Sequence, residues 1–241
     1  MKKFKAFSLV EMIITLGIMS IVVLIATQTL NTVFRVSTIS KFKTVTRNEM
    51  SFSMELVERL LANSNVRDVY IYNPTPSDGV NQPIRYYNEE RGDIVEEGNL
   101  LTTYGVETNP GDTGTEIHIR PYGYDMWVCI GYFLGKDTEG NLTGDGYLLK
   151  RTVDQLGYSN TDHSLCFSSD YNKTEEPILI LNSEDVNVNS FLISYIKSSD
   201  INNVFYVDME MEPTSWVPGE SAIERAVIRQ AIVTTKGLTW Y

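Results

Sequence analysis

One long apolar segment near its start dominates the hydrophobic pattern of the chain. From Met12 to Phe34, 23 consecutive positions carry no charged residue. About 20 such residues are enough for a helix to cross a bilayer. The pattern therefore predicts a membrane-spanning helix over about residues 12–34.

A striped pattern continues this helix beyond the membrane. Apolar residues recur at intervals of three or four with charged residues between them, which is the period of an amphipathic helix. No proline occurs before Pro74. We predict one helix over residues 7–62, about 80 Å long at about 1.5 Å per residue, whose second half packs on a head. The stripe consists of Val36, Ile39, Phe42, Met50, Met54, Val57 and Leu61.

After the helix the pattern changes to that of strands. Eight short segments are rich in β-branched and aromatic residues, and clusters of Gly, Pro, Asn and Asp separate them. The sequence predicts an α+β fold, in which the long N-terminal helix packs on a β-rich head over residues 63–241. The predicted strands are residues 69–72, 116–120, 126–133, 147–150, 178–181, 191–196, 204–209 and 226–233.

Charged residues at the start of the chain set its expected orientation. Lys2, Lys3 and Lys5 precede the apolar run, and Glu11 is the one charge that interrupts it. The lysines predict that the start of the chain stays in the cytoplasm and that the head lies outside it. A carboxylate near the start of a lipid-facing helix costs free energy unless a positive partner meets it. Glu11 is therefore a candidate functional residue.

The small residue Ala6 lies before the apolar core, whereas a secretory signal peptide places its cleavage site after the core. Phe7 follows at once, and Glu11 stands four positions later. This arrangement resembles the type IV prepilin signature. The resemblance implies that residues 1–6 are a leader, that prepilin peptidase cuts between Ala6 and Phe7, and that Phe7 becomes the N-methylated first residue. Ala6 departs from the family's usual glycine, which leaves open whether cleavage is slower.

The resemblance also implies a role for Glu11. In a filament, the methylated ammonium of one subunit can pair with Glu11 of a neighbour, so that neither charge is alone in an apolar core. A buried pair adds little stability because desolvation offsets the attraction, but it can fix the register between subunits.

Function and partners follow from the same family. Its members are structural subunits of type IV pili, type II secretion pseudopili or competence filaments, and the order of the C-terminal strands is similar to that of larger minor pilins and J-type minor pseudopilins. We expect a non-enzymatic minor subunit without a cofactor, which starts as a single-pass precursor in the inner membrane and then enters a pilus or periplasmic pseudopilus. The expected partners are the lipid bilayer, prepilin peptidase, the inner-membrane assembly platform and other pilin subunits.

Two alternatives remain within filaments. The chain could be the major pilin, or a tip adhesin or DNA-capture module. The formal charge is −11, and without the leader 17 basic side chains face 31 acidic ones. This acidity argues against nucleic-acid binding over the whole surface and leaves only a local basic patch open. An adhesin would show a projecting aromatic cluster, for which the candidates are Tyr122, Tyr124, Trp127 and Tyr132, although a core uses the same residue types.

Few residues offer metal or catalytic chemistry. His118 falls on the polar phase of a strand beside Ile117 and Ile119, and His163 lies in a loop. No third nitrogen or thiol lies near either histidine in sequence, so no metal site is predicted. Asp137, Glu139, Asn141, Thr143 and Asp145 alternate as the oxygen-bearing residues of calcium loops do, but Leu142 stands where such a loop needs glycine, which favours a plain turn. The sequence contains no catalytic motif of the nucleophile-elbow, Walker or zinc-protease type.

Cys129 and Cys166 are the only cysteines. In a head outside the cytoplasm they could form a disulfide, while Cys129 in an apolar strand could equally be a buried free thiol. A bridge would close a loop of about 38 residues and contribute about 3 to 4 kcal/mol in the loop-entropy model.

Overall fold

The computed structural model describes residues 8–72, 85–96, 105–107, 113–137, 139–154, 164–167, 177–197, 203–215 and 225–235. Within them, one helix, α1, runs without interruption from Leu9 to Ala62. This confirms the predicted long helix. It ends where the hydroxyl of Ser64 donates to the carbonyl of Leu61, at 2.8 Å, and the chain enters the first strand.

In the described part of the chain, the first sheet has eight strands. They lie in the order β3-β2-β7-β6-β1-β4. Outside this order, β8 pairs with β7, and β9 pairs with β8. Every pair is antiparallel except β2 with β7. Their bounds are β1 Ser64–Tyr72, β2 Arg85–Asn88, β3 Asp93–Glu96, β4 Gly105–Glu107, β6 Glu116–Pro121, β7 Met126–Lys136, β8 Leu142–Asp154 and β9 Leu179–Ile180.

The second sheet, among the residues that the structure describes, has four antiparallel strands in the order β12-β11-β10-β5. A short helix, α2, spans Ser164–Phe167. All eight predicted strand segments fall on observed strands, whereas β2, β3, β4 and β5 were not predicted. The strand bounds are β5 Thr113–Gly114, β10 Val186–Lys197, β11 Asn203–Pro213 and β12 Val227–Thr234.

The first hydrophobic core joins the C-terminal third of α1 to both sheets. From the predicted stripe it takes Met50, Met54, Val57 and Leu61, which pack with strand residues of both sheets. Val36 belongs to the same predicted stripe but is exposed. It precedes Thr46, which is the first buried residue of α1. The head therefore holds only the last third of the helix.

A second core lies on the other face of the first sheet. Trp127, Cys129 and Phe133 of β7 pack there with Leu149 of β8 and Phe167 of α2. Side chains alternate between the two faces of a strand, so the central strands of this sheet are buried on both sides. This second core positions a polar cluster described below.

Asn182 connects the two sheets. Its Nδ2 donates to the carbonyls of Gly146, at 3.3 Å, and Val186, at 2.7 Å, and its Oδ1 accepts the backbone N–H of Leu148 at 2.9 Å. The backbones meet closely at this point, since a Cβ added to Gly146 would lie 1.9 Å from the carbonyl oxygen of Val188. Asn182 therefore satisfies backbone groups where β8 passes β10.

Asn182→Ala is expected to lower the free energy of unfolding by about 1 to 3 kcal/mol, because it leaves buried backbone groups without their partner. The matched control is Asn48→Ala at an exposed position of α1, for which we expect a change within about 0.5 kcal/mol. Chemical denaturation of the full chain in detergent measures both. Equal stability of the two variants would show that Asn182 does not hold the sheets together.

Candidate functional site on the N-terminal helix

The N-terminal part of α1 projects from the head. Residues 9–45 of the helix, about 55 Å at about 1.5 Å per residue, precede its first buried residue. Most of their apolar side chains are exposed, for example Leu9 at 77% and Ile13 at 61%, whereas Ile39, Phe42 and Val45 are half-buried. Among the residues that the structure describes, α1 is the one helix long and apolar enough to cross a membrane, and none of its most apolar window is buried.

Hydroxyl side chains in this segment satisfy their hydrogen bonds within the helix. Each donates to the backbone carbonyl four residues earlier, at distances of 2.5 to 3.0 Å. Lipid offers no hydrogen-bond partner, so internal pairing suits a bilayer-spanning helix. The residues concerned are Thr15, Ser20, Thr27, Thr29 and Thr32.

Ser8 and Glu11 form a capping box at the start of α1. The Ser8 Oγ accepts the N–H of Val10 at 3.3 Å, and Glu11 Oε2 accepts the N–H of Ser8 at 3.2 Å. The carboxylate thus lies at the positive end of the helix dipole, where an acidic residue stabilises the helix. A carboxylate can accept about four hydrogen bonds, so Glu11 can hold this cap and still meet an external cation.

The predicted processing residues precede this cap. Lys2, Lys3, Lys5, Ala6 and Phe7 lie outside the described residues. Phe7 directly precedes the cap residue Ser8, so cleavage before Phe7 would leave the capping box intact in the mature chain.

Polar contacts also hold the head on the C-terminal third of α1. Glu49 accepts the backbone N–H of Ser183 at 2.9 Å, and Glu58 lies 3.8 Å from the guanidinium of Arg229 on β12. Together with the core residues, they hold the projecting segment in a defined direction from the head.

The two cysteines meet in the second core. A disulfide joins Cys129 on β7 to Cys166 on α2, with a Cα–Cα distance of 6.2 Å. Both residues are fully buried. The bond thereby links β7 to α2 through two cysteines that are 37 residues apart in sequence.

His118 lies beside this disulfide, directly opposite Cys129 in the ladder between β6 and β7. Ile117 and Ile119 face the first core, as the predicted phase requires, but the other face is also covered and His118 is fully buried. Its Nε2 lies 2.6 Å from Glu116 Oε1, and Glu116 Oε2 accepts from Arg85 at 2.9 Å. Burial lowers the pKa of His118, although Glu116 opposes this. Sequence spacing could not show this cluster, and His163 lies outside the described residues.

The acidic segment from Asp137 to Asp145 contains the connection between β7 and β8. Asp137 Oδ1 accepts the backbone N–H of Asn141 at 2.7 Å, and hydrogen bonds from Asn141 are the main cause that lowers the pKa of Asp137. Gly140 has a φ of +83°, which suits glycine. These features form a turn between β7 and β8.

The four aromatic residues considered for adhesion do not project together. Tyr122 and Tyr124 are exposed, Tyr132 is half-buried, and Trp127 is buried against Tyr70. The two exposed tyrosines line a groove of about 480 Å³ beside the end of α1. The aromatic cluster expected of an adhesin is thus divided between core and surface.

Comparison with known proteins points to the same N-terminal segment. The family model described as the prokaryotic N-terminal methylation motif matches residues 1–27. No curated protein and no solved structure matches the chain significantly. The matched segment includes the predicted cleavage site, the capping box and the first part of the exposed apolar helix. The chain therefore carries a type IV pilin-like prepilin signature, that of a processed, membrane-anchored subunit that assembles with other pilins.

Proposed function

We propose that this protein is a structural, non-enzymatic minor pilin or pseudopilin. The observation that carries the proposal is the capping box of Ser8 and Glu11 at the start of a 54-residue helix whose apolar half is exposed, within the matched methylation motif. The large head, about 180 residues after α1, supports a minor rather than a major subunit. Abundance in sheared filaments distinguishes the two: a trace band supports the minor subunit and a dominant band the major one.

Processing comes first in the proposed sequence of events. Residues 1–6 are removed by prepilin peptidase, and Phe7 becomes the N-methylated end of the mature chain. Residues 7–62 then form the assembly helix, with the bilayer segment at about residues 12–34, and residues 63–241 form the head outside the cytoplasm. The three lysines of the leader support this orientation.

Assembly follows from the exposed surface of α1. A contiguous apolar surface of this size must be covered, first by lipid and then by other subunits. The bilayer, the inner-membrane assembly platform and the helices of other pilins are the proposed partners. The filament is a type IV pilus, a type II secretion pseudopilus or a competence filament.

Glu11 sets the register between subunits in this proposal. A charged side chain costs about 2.5 to 3.5 kcal/mol at the centre of a lipid-facing helix on insertion scales, and Glu11 near the start of α1 bears part of this cost. The methylated ammonium at Phe7 of a neighbouring subunit supplies the opposite charge, while the capping bond to Ser8 orients the carboxylate. The pair thus favours one axial position of the helix relative to the adjacent subunit over the other possible positions.

Glu11→Gln is expected to leave the protein processed and in the membrane at near-normal level but to lower its incorporation into filaments severalfold. Glutamine still accepts the capping hydrogen bond, so only the charge is lost. The matched control is Ser8→Ala, which removes the hydroxyl cap and keeps the carboxylate. Fractionation with immunoblotting of membranes and sheared filaments measures both variants.

The two variants separate charge from helix capping. If Ser8→Ala lowers incorporation as much as Glu11→Gln does, the capping box matters rather than the charge pair. If Glu11→Gln enters filaments as well as the wild type, α1 packs through its apolar surface alone.

A further inference from the structure

A second cluster with its own chemistry lies in the head, away from α1. A ring nitrogen of His118 and the sulfur atoms of Cys129 and Cys166 lie within 4.8 Å of one another, and all three residues are buried. Two thiolates and an imidazole are a ligand set that Zn²⁺ favours. We propose that the reduced form of this cluster binds one Zn²⁺ ion. The disulfide and the Zn²⁺ ion are then alternative links between Cys129 and Cys166.

Three different elements supply the ligands. The ladder between β6 and β7 fixes His118 opposite Cys129, and α2 brings Cys166 over the same face of the sheet. The two strand ligands thus keep their spacing without the disulfide. Three protein ligands leave one position of a tetrahedral site for water or another small ligand.

The surroundings of His118 resemble those of a metal-binding histidine. Such a histidine commonly has its other ring nitrogen held by a carboxylate. Here Glu116 Oε1 lies 2.6 Å from His118 Nε2, and Arg85 holds the second oxygen of Glu116. The ring of Tyr72 packs on the imidazole at a centroid distance of 4.2 Å. The imidazole is therefore oriented by contacts that do not involve the disulfide.

The exchange between the two forms balances with a dithiol reductant. The dithiol gives two electrons and two protons to the Cys129–Cys166 bond and becomes a disulfide itself. Zn²⁺ then displaces the two thiol protons and forms two Zn–S bonds and one Zn–N bond. Arg151 lies opposite Cys129 in the ladder of β7 and β8, and its guanidinium donates to the carbonyl of Cys166.

Cobalt titration of the full chain in detergent tests the proposal independently of assembly. The protein is reduced with a phosphine, which the disulfide oxidises to the phosphine oxide with an oxygen atom from water, and is then desalted without oxygen. We expect the reduced protein to bind one Co²⁺ per chain with a thiolate charge-transfer band that Zn²⁺ abolishes, and the oxidised protein to show no such band. His118→Gln is expected to weaken binding at least about tenfold.

A variant of the exposed turn controls for adventitious binding. Asp137→Asn combined with Glu139→Gln removes two exposed carboxylates and should leave the cobalt band unchanged. Absence of the band in folded, reduced protein would overturn the proposal, and so would equal affinity of His118→Gln and the wild type. If reduction unfolds the head, Zn²⁺ should restore its near-ultraviolet circular dichroism, and failure to do so would also overturn it.

Discussion

Ala6→Glu is expected to leave the precursor uncleaved and to abolish its entry into filaments. A bulky acid next to the scissile bond would not fit a peptidase site that accepts a small residue there. The three lysines still make the leader basic, so membrane insertion in the same orientation should continue. Intact mass and immunoblotting, in cells with an active prepilin peptidase, measure the fraction of precursor.

The control for this variant is Ala6→Gly, which restores the residue that the family usually has before the cut. We expect Ala6→Gly to be processed at least as fast as the wild type. Mature protein from Ala6→Glu, at the level of the wild type, would show that cleavage does not occur after residue 6.

The second large effect concerns a buried ion pair in the head, between Arg85 and Glu116. Arg85 and Glu116 are almost fully buried, and their charged groups lie 2.9 Å apart. Glu116→Gln keeps the size of the side chain but leaves the guanidinium buried without its carboxylate. Removing one partner of such a pair costs about 3 to 5 kcal/mol. Chemical denaturation of the oxidised full chain should show a loss of this size.

Glu55→Gln provides the matched control, because Glu55 pairs with Arg59 on the exposed surface of α1, where the side chains are 56% and 74% exposed. An exposed pair of this spacing contributes about 0.3 to 0.5 kcal/mol. A double variant, Arg85→Met with Glu116→Leu, should recover much of the loss, since it removes both buried charges. If Glu116→Gln costs no more than Glu55→Gln, the buried pair does not stabilise the head.

The architecture was predictable where local pattern decides the structure. The absence of proline and the three-to-four spacing predicted α1 to its last residue, Ala62, because a helix is determined by neighbours along the chain. The longer strands were predicted for the same reason. Strand β5 was not, because its two residues, Thr113 and Gly114, are ordered by pairing with Ile193 and Ser194 of β10. Such a strand has no local pattern to detect.

The candidate sites divide in the same way. Glu11 could be singled out from the sequence because a charge in an apolar helix is costly wherever the chain folds, and its role stays a prediction. The exposure of Val36, a residue of the predicted apolar stripe, was not predictable, since only the tertiary structure shows where the head ends. The cluster of His118, Cys129 and Cys166 depends on a strand register and on the placement of α2. Sequence spacing contains neither piece of information.

Mass spectrometry of the N-terminal peptide tests the central claim most directly. The protein is taken from filaments or membranes of cells with an active prepilin peptidase. The account predicts a mature chain that begins at N-methylated Phe7, with residues 1–6 absent. Recovery of Met1 as the sole N-terminus would contradict it.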